Sequence, residues 1–164
     1  MNLFPVLSGG LVRLERWASR LLVIGFVGLI VTNVGMRYLA GRPIVFAEEL
    51  AAILLVWLTL VAVSISIHDK AQIGVTLLSD ALPAQARRVL DIVVWALVAL
   101  MLGSLLKAGV TWVRSPAVSF EQVITTGWSK TPFFTIFPIF CASALVHALA
   151  HLSRATGVLW EHLK

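Results

Sequence analysis

Four long apolar runs separated by short polar stretches set the layout of this chain. The second is the clearest. Residues 50–68 hold no Asp, Glu, Lys or Arg, a run long enough to cross a bilayer core as a helix. Gly41 and Pro43 turn the chain ahead of it, and Pro43 disfavours helix at Arg42. The pattern therefore predicts a helix over 47–68 that opens on two adjacent acids, Glu48 and Glu49. Upstream, residues 21–36 are apolar between Arg20 and Arg37. They would rise roughly 24 Å as a helix, a little short of the ~30 Å hydrocarbon core, and arginines at both ends can make up the difference. A third run covers 89–113, with Asp91 one turn inside its start and Lys107 near its end. The fourth covers 132–153, where Pro132 suits a first turn and Pro138 predicts a kink or a freed carbonyl that a neighbour must satisfy. These runs predict an all-α integral membrane protein with four transmembrane helices in a single membrane domain, 1–164.

Two polar stretches also carry helical periodicity. Leu11, Leu14, Trp17 and Leu21 recur at three or four, with Arg13, Arg16 and Arg20 between them. After a break at Pro5 and the Gly9–Gly10 pair, that spacing fits a short interfacial amphipathic helix, and it fits equally the beginning of the first span. In 69–88, Ile73, Leu77 and Leu78 fall near helical spacing until Pro83, which predicts a second interfacial helix. Arg13, Arg16, Trp17, Arg20, Tyr38, Trp112, Trp128 and Trp160 are the expected interfacial anchors.

Composition agrees with a bilayer as solvent. Some 59% of residues are apolar and 13% charged, against about 25% charged in soluble domains, and mean hydropathy is +0.94. The formal charge of +5 is spread over every loop and forms no stripe, so nucleic acid is not an expected partner. A single cysteine, Cys141, excludes an internal disulfide. Residues 1–10 lack a basic n-region, so no cleavable signal is expected. Arg13, Arg16, Arg20, Lys70, Arg87, Arg88, Arg154 and Lys164 fall on the side of the termini; Arg37, Arg42, Arg114 and Lys130 fall opposite, joined by Lys107 if it reaches there. The excess of basic residues places both termini in the cytoplasm.

Candidate chemistry is sparse. Arg37 and Arg42 lie across a short hairpin from Glu48 and Glu49, and the four predict a charged cluster that either serves packing or a partner or is a solvated interfacial group. The deep polar residues (Thr59, Ser64, Ser66, Ser104, Ser143, with Thr32 and Asn33 toward one end) are scattered, with no acid among them. Ala99 and Gly103, four apart, offer a weak close-approach face. His147 and His151 are also four apart, but no third metal ligand is evident, and satisfied near-interface histidines are expected. Cys141 reads as an apolar filler. A lone Gly74 makes no nucleotide frame. With no convergent base, nucleophile or metal set, the chain is expected not to be an enzyme and to hold no cofactor. Four spans with so little polar interior suggest a protein that fits against something larger. The competing reading is a self-sufficient small oligomeric membrane transporter, which would need polar-lined helix faces.

The order of these features resembles the small, DctQ-like membrane subunit of tripartite ATP-independent periplasmic (TRAP) transporters, over about residues 15–155. Arg37-Tyr38 closes the first span, Glu48-Glu49 opens the second, and Trp57 follows one to two turns on, before small residues near Ala62 and Ser64. Gln72-Ile73-Gly74-Val75-Thr76-Leu77-Leu78, ahead of Leu82-Pro83, stands where the family carries a His-Ile-x-Val-Asp-x-Leu pattern. Gln72 replaces the histidine there and Thr76 the aspartate, while Phe46 replaces a usual tryptophan. Pro132 and Pro138 match a pair near the last span. The resemblance implies a non-catalytic small permease subunit of a sodium-coupled, binding-protein-dependent organic-acid uptake system in the bacterial inner membrane. It further implies a scaffold for a large elevator-type subunit, through which sodium coupling would run, and a surface for a periplasmic substrate-binding protein. Loops 42–47 and 114–131 are the expected contacts with that protein.

Overall fold

The computed structural model describes residues 3–70 and 83–162. Six helices follow in order: α1 (Leu3–Leu39), α2 (Ala47–His68), α3 (Ala84–Val113), α4 (Pro116–Ser119), α5 (Thr131–Phe134) and α6 (Ile136–His162). Four segments are long and apolar enough to cross a membrane: Phe4–Leu39, Ala47–His68, Ala86–Val113 and Thr131–Gly157. The chain is all-α and multi-pass. Stretch 71–82, with Gln72, Thr76 and the second expected interfacial helix, lies outside the described residues, as does the indole of Trp160.

The first span is longer than the 16-residue run suggests. α1 is one helix of 37 residues, roughly 55 Å, and 11–20 is its continuation rather than a separate interfacial segment. Pro5 does not break it, because in a first turn its missing N–H has no intrahelical partner to lose. Gly9 and Gly10 are accommodated within the helix.

Between α1 and α2 the chain reverses where Gly41 takes φ +65, a left-handed conformation that glycine adopts without Cβ strain. The amides of Ala40 and Arg42 both return to the Met36 carbonyl, and Asn33 Oδ1 accepts the Ile44 N–H at 2.8 Å. Asn33 thus serves this turn and not the bundle interior. Thr59 and Ser104 spend their hydroxyls on carbonyls of their own helices.

α6 is the centre of the bundle, packing on α1, α2 and, most extensively, α3. Its inner face is small: Cys141, Ala144 and Ala148 have no exposed surface, which lets neighbouring helices approach closely. Ile67, Trp95, Leu102, Ala144 and Ala148 form the main apolar cluster, with Ala99 packed at its edge. The expected close approach is not at Gly103, where an added Cβ would meet nothing within 4 Å. It is at Gly109, two turns on, where the same Cβ would lie 2.8 Å from the Phe137 ring.

The kink expected from Pro138 falls three residues earlier. α5 ends at Phe134, Thr135 interrupts the helix, and Pro138 sits in the first turn of α6. Proline cannot donate to the carbonyl four residues back and crowds it, so the bend forms ahead of the ring. The neighbouring carbonyl of Phe133 accepts the indole N–H of Trp57 at 2.9 Å. The carbonyl that Pro138 itself leaves without a helical donor is that of Phe134, so the Trp57 bond ties α2 to α5 one residue before the position the proline frees.

Candidate functional site

Three helices each place a polar stripe into one seam. On α1, Ser8, Val12 and Glu15 are buried at spacings of four and three, one face of the helix. On α2 the stripe is Ser64 and His68, and on α6 it is Ser143, His147 and His151. Ser64 donates its hydroxyl to Glu15 Oε1 at 2.6 Å, and Ser143 donates to the same oxygen. His147 Nε2 lies 3.1 Å from Glu15 Oε2, and its Nδ1 lies 2.7 Å from Ser8 Oγ. The carboxylate only accepts, so Nε2 carries the proton and Nδ1 accepts from Ser8. Every polar atom of this His147 ring is paired, and the ring has no exposed surface. The interior is therefore not empty of acid: Glu15 occupies it.

Ser8, His147 and Glu15 have the connectivity of a hydrolase triad. Ser8, however, is 2% exposed, so its hydroxyl is closed to a substrate and the seam joins helices. Among the described residues no group of three His, Cys, Asp or Glu side chains is placed to hold a metal.

The seam continues outward to an ion pair at the end of α2. Arg16 donates two hydrogen bonds to Asp69, at 2.8 and 3.0 Å, and His68 Nδ1 donates to Asp69 at 2.9 Å. Arg16 is thus a tether between helices as well as an anchor. The hydrogen bond from His68, followed by the charge of Arg16, holds the Asp69 carboxyl below the usual carboxylate range against the opposing effect of partial burial. A depressed folded-state pKa stabilises above the unfolded carboxylate value, and that contribution is lost as pH falls through the folded one. Asp69→Asn is expected to lower the melting temperature modestly at pH 7, since Asp69 is 39% exposed. The difference from the parent should shrink as pH falls from the ordinary aspartate value, about 3.9, toward and through the lower folded one. Melting curves at pH 7 and across that range check this, and a constant gap would refute the linkage.

At the opposite end the expected four-residue cluster divides. Arg37 pairs with Glu48 at 2.8 Å, with both side chains half or more exposed. Glu49 turns away from the arginines to loop 120–130. Its carboxylate accepts the backbone N–H groups of Ile124 and Thr125 at 3.1 and 3.2 Å and the Thr125 hydroxyl at 3.1 Å. Lys130 Nζ lies 3.6 Å away. Arg42 pairs with no acid among the described residues. Donors that need an acceptor outcompete arginines that water already solvates. The loop closes through Gly127 at φ +73, and Val123 and Trp128 are joined by a 2.7 Å backbone bond. Glu49→Ala is expected to accelerate proteolytic cleavage within 120–130, whereas Glu48→Ala should leave the cleavage rate unchanged. Equal rates in the two variants would contradict the division.

Beside Glu49 and Lys130, Trp57, Trp112, Phe133 and Phe137 line an apolar cavity of about 440 Å³ bounded by α2, α5, the start of α6 and the end of α3. Of the other expected anchors, Trp17, Tyr38 and Trp128 are well exposed, and Arg20 stacks over Trp17 with its guanidinium carbon 5.2 Å from the ring centre. Arg13 is exposed on α1. Pro132 stands in the first turn of α5.

These features define a class: a multi-pass membrane protein whose buried polar groups pair helix to helix and whose exposed charges gather at the helix ends. The match of residues 26–157 to the DctQ component of tripartite ATP-independent periplasmic transporters is specific, and the chain belongs to that family. It is 28% identical over 110 residues to the sialic acid TRAP transporter small permease protein SiaQ of Vibrio cholerae, covering 67% of this chain and 62% of that one. Over 76 residues it is 24% identical to the sialic acid TRAP transporter permease protein SiaT of Haemophilus influenzae, 46% of this chain and 12% of SiaT. The chain thus spans less than two thirds of the length of either relative.

Proposed function

We propose that this chain scaffolds a large, elevator-type permease subunit in the bacterial inner membrane, within a sodium-coupled organic-acid uptake system fed by a periplasmic binding protein. Membership of the DctQ family across 26–157 carries the reading. Two structural features support it. Among the described residues the buried acid, serines and histidine pair with one another across the helices, and the pocket of about 180 Å³ beside Glu15, Ser64 and Ser143 is walled mainly by apolar side chains, which favours a packing seam over a solute route. α1 has little cover from its own bundle: Leu21, Ile24 and Val31 are each more than 60% exposed, as a helix shared with a partner requires. The likeness to a segment of the far longer SiaT, whose name is that of a permease, fits a chain that works beside a larger one.

Both termini are cytoplasmic in this arrangement, by the excess of basic residues on their side. The Gly41 turn and loop 114–131 then face the periplasm together, tied by Glu49, and form the surface for the binding protein. Arg37, Arg42 and Glu48 remain exposed there for contacts. Affinity purification of a tagged chain from native membranes, with co-purifying proteins identified by mass, tests the reading. A stoichiometric, strongly hydrophobic larger partner is expected. Recovery of the chain alone in defined oligomers, active on reconstitution, would overturn it in favour of an independent transporter.

A further inference from the structure

On the side of the termini, the ends of α2, α3 and α6 enclose a pocket of about 200 Å³ that adjoins the outer end of the seam at His151 and is separate from the charged loop. Its wall is built from Lys70, Arg88, Asp91, Trp95, His151 and Arg154, three cations against one carboxylate. Lys70 Nζ lies 5.9 Å from the Trp95 ring centre, and Trp95 stacks on His151 with centroids 4.3 Å apart. Neither Lys70 nor Arg154 has an ionic partner among the described residues, and both are exposed.

His151 supplies an independent observation. It is 5% exposed, and its Nε2 lies 3.1 and 3.0 Å from the carbonyl oxygens of Ile67 and His68. Carbonyls only accept, so Nε2 carries the proton and Nδ1 presents a lone pair. That Nδ1 is buried and has no hydrogen-bond partner among the described residues. Of the two histidines expected to be satisfied, only His147 is. A buried acceptor without a donor is costly, and such atoms mark a missing partner. The pocket therefore asks for a group that is anionic toward Lys70 and Arg154 and carries a hydrogen-bond donor for His151.

We propose that this pocket binds the headgroup of an anionic phospholipid bearing a free hydroxyl, of the phosphatidylglycerol type. Its phosphodiester meets Lys70 and Arg154 in the field of Arg88, and its hydroxyl donates to His151 or Asp91. The location favours a lipid. The wall is formed where α2 ends and α3 begins, at the headgroup level of a spanning bundle, and basic pockets between helices at that level recognise lipid phosphates. The inference requires that the chain cross a membrane, not that it serve a transporter.

Native mass spectrometry of the full chain, exchanged into defined lipid, tests it. Phosphatidylglycerol should be retained over phosphatidylcholine, which has no net charge and no hydroxyl. It should also be retained several-fold over phosphatidylmethanol, which keeps the phosphodiester and lacks the hydroxyl. Lys70→Gln and Arg154→Gln should each weaken retention about fivefold. Arg20→Gln, the same charge change on exposed α1, should not. Equal retention of phosphatidylglycerol and phosphatidylcholine, or equal loss in Arg20→Gln and Arg154→Gln, would overturn the site. Equal retention of phosphatidylglycerol and phosphatidylmethanol would remove the hydroxyl from the assignment. Displacement by millimolar inorganic phosphate or glycerol phosphate would make the occupant a free anion and overturn the lipid.

Discussion

Glu15→Leu is expected to destabilise the chain by about 3 kcal/mol in detergent, the largest effect of any single substitution in the bundle. The carboxylate accepts from three donors on two other helices, Ser64, Ser143 and His147. Leucine accepts from none, so two buried hydroxyls and an imidazole N–H lose their partner together. Individual hydrogen bonds between membrane helices average only ~0.6 kcal/mol, which would put the sum below 2. The orphaned groups raise it, because His147 is fully buried and water cannot replace the acid. Glu15→Gln keeps the shape and one acceptor oxygen, and its loss should be about half as large. Glu15→Leu with His147→Phe gives the deciding measurement. If the pair acts as a unit, the double variant loses at least 1 kcal/mol less than the sum of the singles. Strict additivity would mean the seam is not coupled. The same variants bear on assembly, since Glu15 holds the first half of α1 against α2 and α6.

That Glu15 escaped the sequence reading has a physical explanation. A lone acid among Arg13, Arg16 and Arg20 looks like one more charge on a solvated interfacial face, and the apolar run itself begins only at residue 21. Its partners are 49, 128 and 132 positions away, and periodicity reports a helix face without saying what that face meets. The signal was present as three matching stripes: Ser8 and Glu15 seven apart, Ser64 and His68 four apart, Ser143, His147 and His151 four apart. Each puts hydroxyl and titratable groups on one side of a separate helix. The loop contacts of Glu49 are out of reach of local sequence for a related reason. Arg37 and Arg42 are its neighbours in sequence, but the backbone donors that claim it lie 75 and 76 residues on.

What the sequence carried well was local. Apolar run lengths placed the four spanning segments, because a bilayer admits few alternatives to a helix. Gly41 and Pro43 located the first turn, and the two acids fell in the first turn of α2. Pro138 announced an interruption of the last helix, whereas the bond from Trp57 to the Phe133 carbonyl, one residue before the carbonyl the proline frees, is visible only in the structure. The orphan Nδ1 of His151 was beyond reach, since a missing partner is visible only when all neighbours are placed.

Helix contacts illustrate the same divide, and they yield the second large prediction. Gly109→Leu is expected to cost about 2–3 kcal/mol through overpacking, whereas Gly103→Leu on the same helix should be near neutral. An added Cβ at 109 would stand 2.8 and 2.9 Å from two Phe137 ring atoms and 3.8 Å from Pro138 Cβ, while at 103 nothing lies within 4 Å. Phe137 can yield only by turning its ring into the apolar cavity it lines with Trp57 and Trp112. It sits in the first turn of α6, directly after the break at Thr135, where the proline fixes the backbone. Gly109→Ala alone should cost about 1 kcal/mol, because the ring must shift by several tenths of an ångström before contact is tolerable. Phe137→Ala should relieve most of the strain in Gly109→Leu, so the double variant melts above the value that additivity predicts. Melting in detergent of the parent, the singles and the double tests the crossing. A neutral Gly109→Leu would show that α3 and α6 are free to part at this end, and the Trp57–Phe133 bond would then have no fixed wall behind it.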